Sequence, residues 1–249
     1  MRILALDFDG VLFNTLYDNM LNAFNSYLTF YPETSVFNGK KLAVKDLAWV
    51  KKNKATKLFK NYVVYVRCTE ELVLVFYCID KRIRLTDFSD MDNAKREFSI
   101  KRLLQFQAQF YKSRYNMHEH QDWTKLNKPY QKVINAIKGY SNIYLVTNKD
   151  KRTVELLLKH AGVRIKGILD KDISINKSEK FKMLIKNLNI IPQNIYYIDD
   201  NIYHILQVSK IGVNCYLADW GYNSRKDIAS AKKKGIPILS QEDIKNVVQ

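Results

Sequence analysis

Residues 142–162 read NIYLVTNKDKRTVELLLKHAG, and two periods meet inside them. Asn142 to Thr147 is a short apolar run, the signature of a strand covered on both faces. Beyond it Val154, Leu157, Leu158 and Ala161 recur at helical spacing, and Gly162 supplies the stop. Working outward, the same alternation returns on both sides. RILALD (2–7) reads as a strand ending at Asp7, and KGILD (166–170), NIYYIDD (194–200) and GVNCYL (212–217) as further strands. A helix with Phe181, Leu184, Ile185 and Leu188 on one face precedes the third of these. Another, KDIASAKKKG (226–235), follows the last with lysines in its final turn. Strands and helices alternating through short links predict an α/β fold with a doubly wound, Rossmann-like parallel sheet.

Residues 16–127 break that rhythm. Leu16, Met20, Ala23, Phe24 and Tyr27 trace a helical stripe. TEELVLVFYCID (69–80) reads as a helix, with Thr69 as its cap and Glu70 and Glu71 suited to the first turn. NAKREFSIKRLLQFQAQFYKSRY (93–115) holds no glycine or proline and reads as one long helix. The expected organisation is therefore a core built from 1–15 and 128–249, with an all-helical domain, 16–127, inserted into it.

At 249 residues, 47% apolar and 27% charged, the composition is that of a globular chain. The longest strongly apolar run, Leu72 to Ile79, is well short of the roughly 18 residues a bilayer span requires, so no membrane is expected. The N-terminus makes a poor signal peptide. Cys68, Cys78 and Cys215 show no metal or redox spacing, which reads as reduced thiols in a cytoplasmic protein. The net charge is +16, much of it in GKKLAVKDLAWVKKNKATKLFK (39–60) and in Lys232 to Lys234. With no nucleic-acid motif beside it, that charge reads first as a solvated helix face, and in its functional alternative as a surface field that steers anionic substrates. Nucleic acid as the main partner is not favoured.

Chemistry in open α/β sheets gathers at the carboxyl ends of the strands. Those ends carry Asp7 and Asp9, Thr147, and Asp199 and Asp200, with Lys177 at the start of the helix before the last pair. Four carboxylates suit a hard divalent cation such as Mg²⁺, which relieves their mutual repulsion. Lys177 adds a charge suited to phosphate and Thr147 a hydroxyl donor. A carboxylate nucleophile attacking a phosphoryl group fits this inventory. Phe8 separates the two aspartates and points elsewhere, and Gly10 allows a sharp turn after them.

DFDGVLFNT, IYLVTN, Lys177 and YYIDDN stand in the order of the four motifs of the haloacid dehalogenase-like hydrolase superfamily, which the sequence resembles. The similarity is to its phosphoglycolate phosphatase-like branch and extends to ADWGYNSRKDI (218–228). The resemblance implies that Asp7 is the nucleophile that becomes an aspartyl-phosphate and a ligand of Mg²⁺. It implies that Asp9 is the general acid and base, near the metal through its backbone carbonyl. Thr147, Asn148, Lys177 and Gly10 then bind the phosphoryl group. Aligning YIDDNIYHI on the fourth motif makes Asp200 the direct ligand and Asp199 the outer acid, and a register one residue earlier exchanges them. Retention of Asp9 favours phosphoryl chemistry over carbon–halogen cleavage, and the helical insert resembles a C1-type cap that reads the organic part of a small phosphorylated substrate.

The expected function is a Mg²⁺-dependent phosphatase. The alternatives are a phosphomutase of the beta-phosphoglucomutase type, a nucleotide or nucleic-acid-end phosphatase, or a non-catalytic binding protein using the basic cap. Three details depart from the family pattern: His204, expected at the surface; Asn14 where relatives often carry aspartate; and Lys180, expected to be solvated, which competes with a loop-borne Lys177. Arg114 and Trp123 are expected to touch substrate or hinge, or to pin cap to core.

Overall fold

In chain order the strands are β1 (Ile3–Leu6), β2 (Phe13–Asn14), β3 (Lys128–Pro129), β4 (Ile143–Val146), β5 (Gly167–Leu169), β6 (Ile195–Asp199), β7 (Asn214–Ala218) and β8 (Ile238–Leu239). The computed structural model describes residues 2–248. β2 and β3 pair with each other as a two-residue antiparallel ladder, and the other six form one parallel sheet in the order β5-β4-β1-β6-β7-β8. All four residues of β1 are at most 1% exposed, as a central strand covered on both faces must be. From β1 the sheet grows one way through β4 and β5 and the other way through β6, β7 and β8. The strand order therefore reverses at β1, where such sheets open a crevice at their carboxyl ends.

The chain divides into two compact units, Met1–Asn14 with Lys128–Gln249, and Thr15–Asn127. The second is helical: α1 (Leu16–Phe30), α2 (Leu47–Lys52), α3 (Lys54–Tyr62), α4 (Thr69–Asp80), α5 (Phe88–Arg96) and α6 (Ile100–His118). Aromatic side chains fill its core, with Phe76 of α4 lying 5.3 Å from Phe24 and 5.2 Å from Phe59, centroid to centroid. Such ring pairs add about 0.5–1.5 kcal/mol each beyond their buried area. Beside them sits a buried ion pair, Arg114 Nε to Asp18 Oδ2 at 3.1 Å, and Trp123 Nε1 donates to Asp18 Oδ1 at 2.8 Å. Arg114 and Trp123 are thus committed to holding Asp18 inside the helical unit, which corrects the expectation of substrate or hinge contacts.

Two other readings of this unit need correction. The 93–115 stretch is not one helix: α5 ends at Arg96 and α6 begins at Ile100, because the Ser99 side chain accepts the Arg102 N–H (3.2 Å) and caps a new start. Thr69 is the first residue of α4 and not its cap. Its hydroxyl meets Tyr111 OH at 2.6 Å instead.

The sheet unit carries α7 (Gln131–Ile137), α8 (Lys151–Ala161), α9 (Lys177–Leu188), α10 (Ile202–Ser209), α11 (Arg225–Lys233) and α12 (Ile244–Val248). Their starts are written locally: Asp150, Asn176, Asn201 and Ser224 each accept a backbone N–H of the first turn. These caps fix where each helix begins and so where the preceding strand-end loop points. The edge strand β8 and the β2–β3 ladder are additions that sequence periodicity did not register. No helix among the described residues is long and apolar enough to cross a membrane.

Candidate active site

Strand register brings the acids together. Leu6 of β1 pairs with Ile198 of β6 and with Leu145 of β4. One residue further, Asp7 is level with Asp199, and Thr147 follows at the same end of the neighbouring strand. The turn after β1 is closed by Gly10 N–H to Phe13 O at 2.9 Å, with Gly10 at φ +76°. Phe8 is fully buried and stacks on Phe13 at 4.8 Å. That leaves the flanking aspartates on the crevice side of the chain.

Asp7, Asp199 and Asp200 each present a carboxylate oxygen within 4.8 Å of the others, and all three are buried. Lys177 reaches into the group, donating to Asp199 Oδ2 at 2.6 Å and standing 3.0 Å from Asp7 Oδ1. Its salt-bridge approach to Asp7 lacks hydrogen-bond alignment, so Asp7 Oδ1 is buried without a hydrogen bond. Asp199 is heavily engaged: Tyr197 OH donates to Oδ2, Asn201 N–H donates to Oδ1 (2.9 Å), and His204 Nδ1 lies 3.4 Å from Oδ2. Burial opposes its charge, but Lys177 and then His204 hold the Asp199 carboxyl far below the usual range. Asp200 receives the Tyr222 N–H.

Burial, aided by Asp199 and Asp7, pushes the Asp200 carboxyl well up. Burial likewise lifts Asp7 to about 6 against the pull of Lys177. Three carboxylates and one lysine leave two negative charges in a buried space, and the two acids with raised values lack a full cationic partner. A divalent cation cancels that excess without needing another side chain, so these residues fit Mg²⁺.

Two glycines shape the place of Asp200. A Cβ built on Gly10 falls 2.6 Å from Asp200 Cγ, and one built on Gly221 falls 2.7 Å from it. Neither position tolerates a side chain while Asp200 stays where it is. The loop bearing Gly221 is fastened to the turn after β1, since Trp220 Nε1 donates to Val11 O (3.1 Å) and Tyr222 OH to Asn14 Oδ1 (3.2 Å). Asn14 thereby serves as an acceptor for this loop.

The remaining expected residues divide into those the cluster includes and those it leaves outside. The Asp9 carboxylate is not in the acidic trio. It is partly exposed and lies 3.0 Å from the buried Lys149 Nζ. Thr147 is buried, and its hydroxyl accepts the Lys149 N–H at 3.1 Å. Asn148 Nδ2 donates to Ile175 O (3.1 Å), while its Oδ1 accepts from Lys180 Nζ (2.6 Å).

Lys177 is the first residue of α9 and not part of a loop, because Asn176 is the cap. Lys180 is fully buried, contrary to the solvated placement expected of it, and also donates to Thr147 O. Burial, with Lys177 nearby, lowers its ammonium to about 7. His204 is buried beside Asp199 and is not a surface histidine, and burial followed by the charge of Lys177 lowers its value. Lys149, Tyr197 and Tyr222 carried no sequence signal of their own. Only the quoted loop ADWGYN pointed toward Tyr222.

A model of the haloacid dehalogenase-like hydrolases matches residues 1–207. The chain belongs to that hydrolase family. No curated protein matches it. In fold, this haloacid dehalogenase-like hydrolase is similar to a predicted phosphoglycolate phosphatase from Haemophilus somnus 129PT, at 18% identity and TM-score 0.64 over 100% of this chain and 98% of that one. It is also similar to a haloacid dehalogenase-like family protein from Streptococcus pneumoniae, at 14% identity and TM-score 0.61 over 100% and 99%. A predicted phosphatase from Clostridium acetobutylicum gives 14% and 0.61 over 99% and 98%.

Proposed function

We propose that this chain is a Mg²⁺-dependent phosphatase that hydrolyses a small phosphorylated metabolite through an aspartyl-phosphate. The observation carrying the proposal is the buried trio Asp7, Asp199 and Asp200 with Lys177 Nζ 3.0 Å from Asp7. Asp7, Asp199 and Asp200 are the residues that would hold the metal, with Asp200 the direct ligand and Asp199, already bound to Lys177 and Tyr197, the outer acid. Bound Mg²⁺ supplies positive charge that keeps Asp7 ionised and screens the transferring phosphoryl oxygens.

In the first step an Asp7 carboxylate oxygen attacks phosphorus, and the ester oxygen departs with a proton from Asp9. In the second, water attacks phosphorus, gives its proton to Asp9, and releases orthophosphate and free Asp7. Lys177 and the Thr147 hydroxyl hold the phosphoryl oxygens. Asn148, held by Ile175 and Lys180, and Gly10, in the turn after β1, are assigned to the same phosphoryl group. The Asp9 carboxylate, partly exposed and outside the acidic trio, is the one assigned the proton-carrying role. In this reading Met1–Asn14 with Lys128–Gln249 is the catalytic core, and Thr15–Asn127 is the cap that reads the organic part of the substrate.

The test is phosphate release from several dozen phosphorylated metabolites with and without Mg²⁺, using Asp7→Asn as control. Mg²⁺-dependent release that vanishes in Asp7→Asn supports the proposal. No hydrolysis across the panel, or undiminished hydrolysis by Asp7→Asn, overturns it.

A further inference from the structure

The charge of the helical unit is unevenly placed. Residues 15–127 hold nineteen lysines and arginines against twelve acids. Eight of those lysines, and one acid, fall within residues 39–60, so the rest of the unit carries eleven of each and is neutral. All eight lysines are exposed, and none is in an ion pair with another described residue. The single acid, Asp46, is occupied in accepting the Ala43 N–H at 2.8 Å. A run of lysines spread around a helix needs no special account, but one that holds a whole unit's excess charge with no counter-ion does.

Two of these lysines converge on one ring. Lys51 at the end of α2 and Lys60 near the end of α3 both approach the ring of Tyr17, at 5.3 and 5.5 Å from its centroid. Lys54, Lys57 and Lys60 recur every three residues along α3 and so share a face. Upstream, Lys41 and Lys45 line a groove of about 640 Å³ together with Lys112, His120 and the amides of Gln109 and Asn116. In sequence between the groove lysines and α3 comes Trp49, 43% exposed, its ring set edge-on against Phe37 at 5.9 Å.

We propose that this face, residues 40–60 of the helical unit, binds single-stranded nucleic acid. A set of exposed ammonium groups with no carboxylate partner matches a chain of phosphates, and a half-exposed tryptophan in the same stretch offers a platform on which a base stacks. An anionic membrane surface fits less well. Docking on lipid takes several inserted apolar side chains, and Trp49 is the one large apolar residue exposed in this stretch. The proposal does not depend on the phosphatase reading, since its residues are none of those assigned to the acidic site.

The experiment is fluorescence anisotropy of the full chain with a dye-labelled oligouridylate of about 12 nucleotides, within the usual site sizes of such surfaces. The probe lacks terminal phosphates, and the buffer contains a metal chelator, so the acidic site does not contribute. With four or five lysines engaged, the slope of log K against log salt is expected near −3, from about −0.7 per phosphate contacted. Lys52→Gln, Lys54→Gln and Lys57→Gln together should reduce that slope by about 2 and weaken binding about tenfold or more at low salt. Trp49→Ala should cost about tenfold with the slope unchanged. Lys232→Gln, Lys233→Gln and Lys234→Gln remove the same charge from the other unit and should change affinity less than about twofold if the face is specific.

All substituted lysines are exposed, and circular dichroism melting confirms that each variant folds. Three results overturn the proposal: no binding at low salt, equal weakening by the two triple variants, or capture by anionic vesicles with the oligonucleotide left free.

Discussion

Gly221→Ala perturbs the account at one atom. The new methyl group falls 2.7 Å from Asp200 Cγ and closer still to its Cβ, against 3.4 Å for the near edge of ordinary contact. Asp200 Cβ is fixed to the backbone at the end of β6, so a rotamer change cannot clear the overlap. The side chain or the loop must move by about 0.7 Å at Cγ and more at Cβ. Gly221 does not occupy a left-handed backbone conformation, so the effect is steric and not conformational. Overpacking of this kind costs roughly 1–3 kcal/mol in stability, and a displacement near 1 Å at a reacting centre costs on the order of 10²-fold in rate. The assay is Mg²⁺ titration by calorimetry, paired with phosphate release against Mg²⁺ concentration. Weakened Mg²⁺ binding with kcat reduced on the order of 10²-fold is the expected outcome. A variant that folds, binds Mg²⁺ as the wild type does and turns over normally would refute the placement of Asp200 as a ligand.

Asp9→Asn should lower kcat by roughly 10²- to 10⁴-fold on alkyl phosphates, with a smaller loss in the first step for a nitrophenyl ester, whose leaving group needs no proton. Equal burst-phase losses on both would remove Asp9 from its acid role. Arg114→Met strands the buried Asp18 carboxylate and should cost about 3–5 kcal/mol in urea unfolding, whereas a loss under about 1 kcal/mol would mean the pair is not buried as described. The Asp7 carboxyl, raised by burial from 3.8 to about 6, binds a proton in the folded state that the unfolded chain has released. Its stabilising contribution is therefore full below about pH 4 and lost as pH rises through about 6. In metal-free protein, the melting temperature relative to Asp7→Asn should fall between pH 4 and 7 and recover on adding Mg²⁺. A flat difference across that range contradicts the raised value.

What the sequence disclosed follows from the physics of each element. β1 and β4 are buried at every residue and continuously apolar, and β6 and β7 are apolar over most of their length, so these runs stand out from the helical stripes around them. β8 is two residues long and had no run to display. Ser99 was the sole local mark of the break between α5 and α6, and without a glycine or proline beside it the stretch looked continuous. At the site, acids at strand ends were conspicuous because such crowding is costly without a cation. Lys149 was not, and Lys180 and His204 were noticed but read as solvated. In a chain with 41 lysines and arginines, one more lysine carries no contrast, and burial is decided by which strand ends the fold brings together. Lys177 was read both as opening the helix and as loop-borne; it opens α9, because Asn176, one residue earlier, supplies the cap.

The most direct test of the Asp7 nucleophile uses Asp9→Asn with nitrophenyl phosphate and Mg²⁺. Nitrophenolate leaves unaided, so Asp7 should be phosphorylated, while the second step lacks the base that activates water. Acid quenching, peptic digestion and mass spectrometry should then find one phosphoryl group on the peptide containing Asp7, alongside a burst of about one nitrophenolate per protein. Steady hydrolysis by this variant with no phosphoryl group on that peptide would contradict the account.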